Sequence, residues 1–126
     1  MTGTTHPYVS RGADARIIDV KSIEGKPTFG SGLVAKTSIM GEHMTSLEIT
    51  YTKGTGAPLH VHAHEPLVYV VCGRIETTIG EEDFSLELGD ACLHPAGMPH
   101  TVEAPEDSTM VEIKSPALDI TKFFEW

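Results

Sequence analysis

The sequence predicts a single all-β domain, an antiparallel sandwich or barrel built from about ten short strands. Three observations carry that expectation. Apolar and polar residues alternate in short runs, the period of a strand with one buried face. Turn residues punctuate those runs every eight to twelve residues or so, and no stretch holds the 3.6-residue period of a long helix. A chain of 126 residues leaves little room for a second domain.

Residues 1–16, rich in Thr, Gly, Pro and charge, have no period and are expected to form an arm that is flexible or laid along a partner. Residues 17–116 hold the predicted barrel. A first strand is expected over 17–23 (IIDVKSI), followed by the turn EGKP and a strand over 33–40 (LVAKTSIM). Gly41-Glu42 turns the chain into HMTSLEITYT, in which Met44, Leu47, Ile49 and Tyr51 supply the apolar residues. After the break KGTGAP come LHVHA and then LVYVV, a near-continuous apolar run of the kind found in buried strands. Cys72-Gly73 leads to RIETTI, the hairpin turn GEED and FSLEL, with Phe84, Leu86 and Leu88 on one face. Gly89-Asp90, ACLH, the loop PAGMP, HTVEA and TMVEIKS complete the series. The tail, 117–126, gathers Phe123, Phe124 and Trp126, an apolar cluster expected to dock on the barrel or on a second subunit.

Composition narrows the function. Eighteen acidic against nine basic residues give a formal charge of −9, and no basic cluster is present, so nucleic acid and anionic membranes are not expected partners. No apolar run approaches a membrane span. Cys72 and Cys92 fall in predicted strands, without the spacing of a zinc clip or the density of a disulfide scaffold. The amino-terminal residues lack the apolar core of a signal peptide, so a reduced, cytoplasmic location is expected. No nucleophile elbow, phosphate loop or dinucleotide fingerprint occurs.

The chemistry concentrates in two segments, 54–73 and 89–104. His60 and His62 lie two apart in an alternating run and so project from one face. His100 follows a Pro/Gly loop and opens a later strand. Three imidazoles converging across a curled sheet make a transition-metal site more readily than anything else. Gly54, Gly73, Gly89 and Gly97 stand where the backbone must turn sharply, and Pro95 and Pro99 stiffen the loop that delivers His100.

This pair of segments resembles the two signature motifs of the cupin superfamily. The first runs Gly, five residues, His-x-His, three or four residues, Glu, six residues, Gly; Gly54, His60, His62 and Gly73 fit, while Pro66 or Leu67 stands in the Glu slot. The second runs Gly, five residues, Pro-x-Gly, two residues, His, three residues, Asn; Gly89, Pro95, Gly97 and His100 fit, with Ala104 in place of Asn. The resemblance implies a jelly-roll barrel, a double-stranded β-helix, with His60, His62 and His100 holding a divalent Fe, Zn, Ni or Mn ion. It also implies a homodimer, formed by sheet packing and arm exchange. Water or substrate, Glu65 or His64 would take the place of the missing carboxylate, and Glu65 or His64 would serve as a base. Tyr51, Tyr69, His94 and Met98 are candidate pocket residues.

A narrow barrel with open coordination positions points to a small bidentate oxygen substrate, such as an enediol, a β-diketone or a hydroxy-acid. The chain is similar to small cupins of the pectin-degradation kind, which linearise unsaturated uronates, in His60 to Glu65 (HVHAHE), Gly89-Asp90, Pro99-His100 and Ser115-Pro116. It also resembles cupin polyketide cyclases. Non-redox tautomerisation, ring opening or cyclisation is therefore the first expectation. Three-histidine iron dioxygenases, which lack the Glu ligand too, are the second, and a non-catalytic ligand-sensing module is the third.

Overall fold

In the computed structural model, which describes residues 6–120, the chain forms twelve strands, all paired antiparallel. They are β1 (Ile17–Asp19), β2 (Ser22–Ile23), β3 (Lys26–Pro27), β4 (Leu33–Met40), β5 (Thr45–Tyr51), β6 (Gly56–His60), β7 (Glu65–Cys72), β8 (Arg74–Ile79), β9 (Glu82–Glu87), β10 (Ala91–Leu93), β11 (His100–Glu103) and β12 (Ser108–Ser115). A six-stranded sheet, β1-β4-β5-β12-β7-β10, faces a four-stranded one, β6-β11-β8-β9, and β2-β3 is a separate two-stranded ribbon. This is the jelly-roll barrel. Two strands beyond the expected number arise because residues 17–27 divide into β1 and the ribbon. The expectation of no long helix holds among the described residues, where one short 3₁₀ turn, Gly12–Asp14, precedes β1.

The core lies between the sheets. Leu47, Ile49 and Tyr51 of β5, Val68 and Val70 of β7, Ile75 of β8, Val102 of β11 and Met110 of β12 are all buried. Along β7, Pro66, Val68 and Val70 turn inward while Glu65, Leu67 and Tyr69 turn out. LVYVV is thus not buried on both faces as expected. Strand alternation leaves Leu67 and Tyr69 43% and 46% exposed. Phe84, Leu86 and Leu88, expected on one face, differ in burial: Leu86 is buried, while Phe84 and Leu88 are exposed.

Gly73 joins β7 to β8 at φ 77°, and a Cβ there would sit 2.3 Å from both Asp107 O and Ser108 Oγ. The Ser108 hydroxyl ties this corner together, donating to Arg74 O and accepting from Arg74 N–H. At the other end of β12, the Thr45 hydroxyl exchanges hydrogen bonds with the backbone of Leu118, and Ile120 is buried. The aromatic residues of the tail lie outside the described residues.

Because Gly73 combines a left-handed backbone with a filled surrounding, Gly73→Ala is expected to cost ~2–3 kcal/mol in chemical denaturation, with a correspondingly lower melting temperature.

Candidate metal centre

His60 closes β6 and His100 opens β11, and the antiparallel register sets them directly opposite each other. A register shift follows at once, between His100 and Val102. It is a local irregularity of the kind that re-aims a side chain beside a site. At the far end of this pair Gly56 stands opposite Glu103 and lets the two strands approach, since a Cβ on it would meet Val102 O at 2.2 Å. His62 is not on the strand, as the alternation suggested, but two residues past its end. It keeps the inward phase nonetheless: Val61 is exposed and His62 buried. The loop between β10 and β11 holds this connection down. Gly97 N–H donates to His62 O (2.8 Å) and His94 N–H to Pro66 O (3.0 Å), so the two histidine-bearing segments are stitched to each other.

The three rings are buried, with centroids 4.7 Å apart for His60 and His62, 4.2 Å for His60 and His100, and 4.8 Å for His62 and His100. One ligand atom from each lies within 4.8 Å of the others, so an ion bound at ~2.0–2.2 Å requires only small ring movements. Hydrogen bonding selects the tautomer that such an ion needs. His60 Nδ1–H donates to Pro58 O (2.6 Å), His100 Nδ1–H to Met98 O (3.3 Å) and His62 Nδ1–H to a carboxylate oxygen of Glu24 (3.1 Å). Each acceptor claims the Nδ1 proton and leaves the Nε2 lone pair for coordination. The donor set therefore fits a divalent transition metal.

Burial keeps these imidazoles neutral. It lowers the pKa of His60, and of His62 still further, where the Lys114 ammonium adds to the effect. His100 is pushed down to about 4 by burial and by neighbouring His94. His94 and His64 also fall to about 4, through burial first and then His60 and Lys114 respectively.

The residues around the triad divide clearly. His94 lines the cavity and stacks on His100 (centroids 4.0 Å apart, planes 8° apart). The Thr77 hydroxyl donates to Thr101 O and therefore accepts from His94 Nε2–H at 2.9 Å, which locks the ring as a brace for His100. Tyr51 lines the cavity, and burial with the nearby Glu112 charge raises its phenol well above 10, so it remains a donor. Burial raises the Cys92 thiol to about 11, which makes it inert as a nucleophile.

Three expected site residues are placed elsewhere. Glu65 begins β7 pointing outward and exposed, since strand alternation turns the neighbouring Pro66 inward. Tyr69 shares that outer face. Met98, 39% exposed, does not line the cavity, and its thioether lies over Gly80. His64 is buried as the alternation suggested, but its Nε2 accepts from Lys114 Nζ (3.2 Å).

Three further residues were not anticipated. Glu24, in the β2–β3 turn at φ 52°, comes within ligand distance of both His62 and His64. Glu112 and Lys114 face inward from β12, line the cavity and pair at 2.8 Å. Lys114 lies across from Pro66 in the strand register, so an ammonium borders the slot where a carboxylate was expected. The cavity they share with the triad, Tyr51 and apolar residues such as Ile49 and Met110 is about 430 Å³ with its open mouth.

A β-barrel with three convergent imidazoles at one end of its interior defines a jelly roll with a candidate metal site. The comparisons specify the family: residues 47–115, more than half of the chain, match the model of the cupin domain, and the protein belongs to that family. A similar structure is an RmlC-like cupin from Shewanella frigidimarina, 23% identical over 90% of this chain and 95% of that one, with a TM-score of 0.76. Another is KdgF from Halomonas sp., 27% identical over 71% of this chain and 84% of that one, TM-score 0.68. A third is Bacillus subtilis oxalate decarboxylase, a protein with Mn(II) centres, 18% identical over 98% of this chain and 33% of that one, TM-score 0.74. No curated protein sequence matches.

The histidine shifts set a pH dependence. His64, His94 and His100 have folded-state pKa values of about 4 against ~6.5 unfolded, so between these limits the unfolded chain binds more protons. Their contribution to stability is complete above pH ~6.5 and is lost as pH falls toward 4. The melting temperature of metal-free protein is expected to drop steadily over that window, by calorimetry, and the drop should be smaller in His94→Phe.

Proposed function

We propose that this protein is a metal-dependent enzyme acting on a small, enolisable carbonyl compound of the sugar-acid type, by tautomerisation, ring opening or cyclisation without redox chemistry. The observation that carries the reading is the convergence on one cavity of three buried imidazoles, each hydrogen-bonded through Nδ1, in a chain with Pro66 or Leu67 where the first motif has a Glu. The similarity to KdgF at 27% identity and the motif resemblance to uronate-linearising cupins support the same direction.

A divalent metal held by His60, His62 and His100 would supply Lewis acidity, polarising a carbonyl and rendering the adjacent C–H acidic. The chain's own contributions are distinct. Pro58 O, Met98 O and Glu24 hold the three rings in the ligating tautomer. Tyr51, protonated at neutral pH, offers a phenolic donor to a substrate oxygen, and a cavity within the barrel suits a small substrate.

Elemental analysis of protein purified without chelators is expected to find one transition-metal ion per chain, and far less in the His60→Ala/His62→Ala double variant. Equal content in both would support the ligand-sensing alternative. A screen of small enolisable carbonyls is expected to find turnover that persists within about twofold when oxygen is removed and Zn, Ni or Mn is bound. Strict oxygen dependence with Fe would instead favour the three-histidine dioxygenase, which the absence of a carboxylate at Pro66 also suits.

Assembly belongs to the same proposal. Leu67, Tyr69 and Val71 of β7, Leu93 of β10 and Ile113 of β12 are exposed on the outer face of the six-stranded sheet, Leu67 standing opposite both Leu93 and Ile113. A patch of that kind suits a second copy packing sheet to sheet. Sedimentation is expected to give a dimer, and Tyr69→Lys a shift toward monomer.

A further inference from the structure

The metal triad provides no group to move a proton, and both bases expected from the sequence are otherwise placed: Glu65 faces solvent and His64 is engaged by Lys114. Glu112 remains. It is 7% exposed, faces inward from β12 and borders the same cavity as His60, His62, His100 and Tyr51. The Lys114 ammonium, 2% exposed, donates to its Oε1 at 2.8 Å, which leaves Oε2 as the acceptor for a bound molecule.

A structural role alone accounts poorly for this pair. The inward positions of β12 run Ser108, Met110, Glu112, Lys114, so apolar packing gives way to two charges at the end of the barrel that holds the imidazoles. Desolvating two ions is costly, and an apolar pair of similar volume is often as stable or more so. Nor is Glu112 a ligand in disguise. Among the described residues, the clusters whose ligand atoms lie within 4.8 Å of one another are His60–His62–His100 and Glu24–His62–His64, and Glu112 is in neither. A carboxylate in the cavity, oriented by a cation and outside the coordination sphere, has the placement of a base that works on substrate carbon.

We propose that Glu112 is the general base of this site, an assignment that rests on the enolising chemistry proposed above. Its Oε2 accepts the proton of the C–H bond next to the substrate carbonyl. The bond's electron pair moves toward the carbonyl carbon, and the carbonyl π pair passes to oxygen, giving an enolate. The same carboxyl then returns the proton to carbon or exchanges it with solvent, so no oxidant or further reactant is consumed. Lys114 is a positioning residue that fixes the carboxylate through Oε1.

The experiment uses pyruvate, a small bidentate keto acid, as probe and the Mn(II)-loaded full-length protein. Binding is followed by water-proton relaxation, and exchange of the methyl hydrogens in D₂O by NMR. Wild-type protein is expected to bind pyruvate and catalyse the exchange. Glu112→Gln should bind within about threefold and lose the exchange by a hundredfold or more, the range for a removed general base. Glu112→Asp, which keeps a carboxylate set back by one methylene, should retain a reduced rate. It carries the test alone if the Gln variant does not fold. Exchange at the wild-type rate in either variant overturns the assignment of Glu112 and leaves the enolising reading standing, as does loss of pyruvate binding together with exchange. Absence of both binding and exchange in the wild type overturns the enolising reading, and Glu112 with it.

Discussion

The antiparallel pairing of β6 with β11 sets the geometry on which the rest of the site depends. It brings His60, the last residue of one strand, opposite His100, the first of the other, although forty residues of chain separate them. Neither ring would point usefully without the local departures from regular pairing. The register shift after His100 breaks the regular ladder beside the two imidazoles, while at the far end of the pair the missing side chain of Gly56 lets the backbones approach. His62 then needs no strand of its own. The Gly97 and His94 amides pin its connection, and the loop that delivers His100 thereby orients its neighbour too.

Part of this was legible in the sequence, and the reason is mechanical. Gly54, Gly73, Gly89 and Gly97 all take positive φ, a requirement that few residues other than glycine meet, so their spacing carried the turns and with them the approximate frame of the barrel. The clustering of His60, His62 and His100 could be anticipated for the same reason, because strand phase between fixed turns leaves little freedom. What failed was inference about which face is inside where both faces are apolar. On β7, Leu67 and Tyr69 are as hydrophobic as Val68 and Val70, and only the packed structure separates them. On β12 the pattern was harder to read still: Val111 and Ile113 alternate with Glu112 and Lys114, and the charged pair occupies the interior. Glu24 was hidden differently. It lies in an ordinary-looking EGKP turn, thirty-eight positions from the ring it holds, and nothing local marks a residue whose partner is distant in the chain.

The charge balance of the interior differs from that of the whole. The protein carries twice as many acidic as basic residues, but its cavity holds one carboxylate and one ammonium side by side among neutral imidazoles. A bound divalent cation would thus retain most of its charge, with no carboxylate in the first motif to offset it. Its polarising power would be correspondingly greater than that of an ion with an anionic ligand. The neighbouring ammonium works against cation binding, and the paired Glu112 limits that penalty.

The three acceptors that orient the imidazoles are unequal in one respect. Two are main-chain carbonyls, of Pro58 and Met98, present whatever side chains those positions carry. The third is the Glu24 side chain, on a small ribbon outside both principal sheets. The orientation of one ring in three thus hangs on a single side chain, and a change at position 24 would loosen the His62 ring while leaving all three imidazoles and both principal sheets in place.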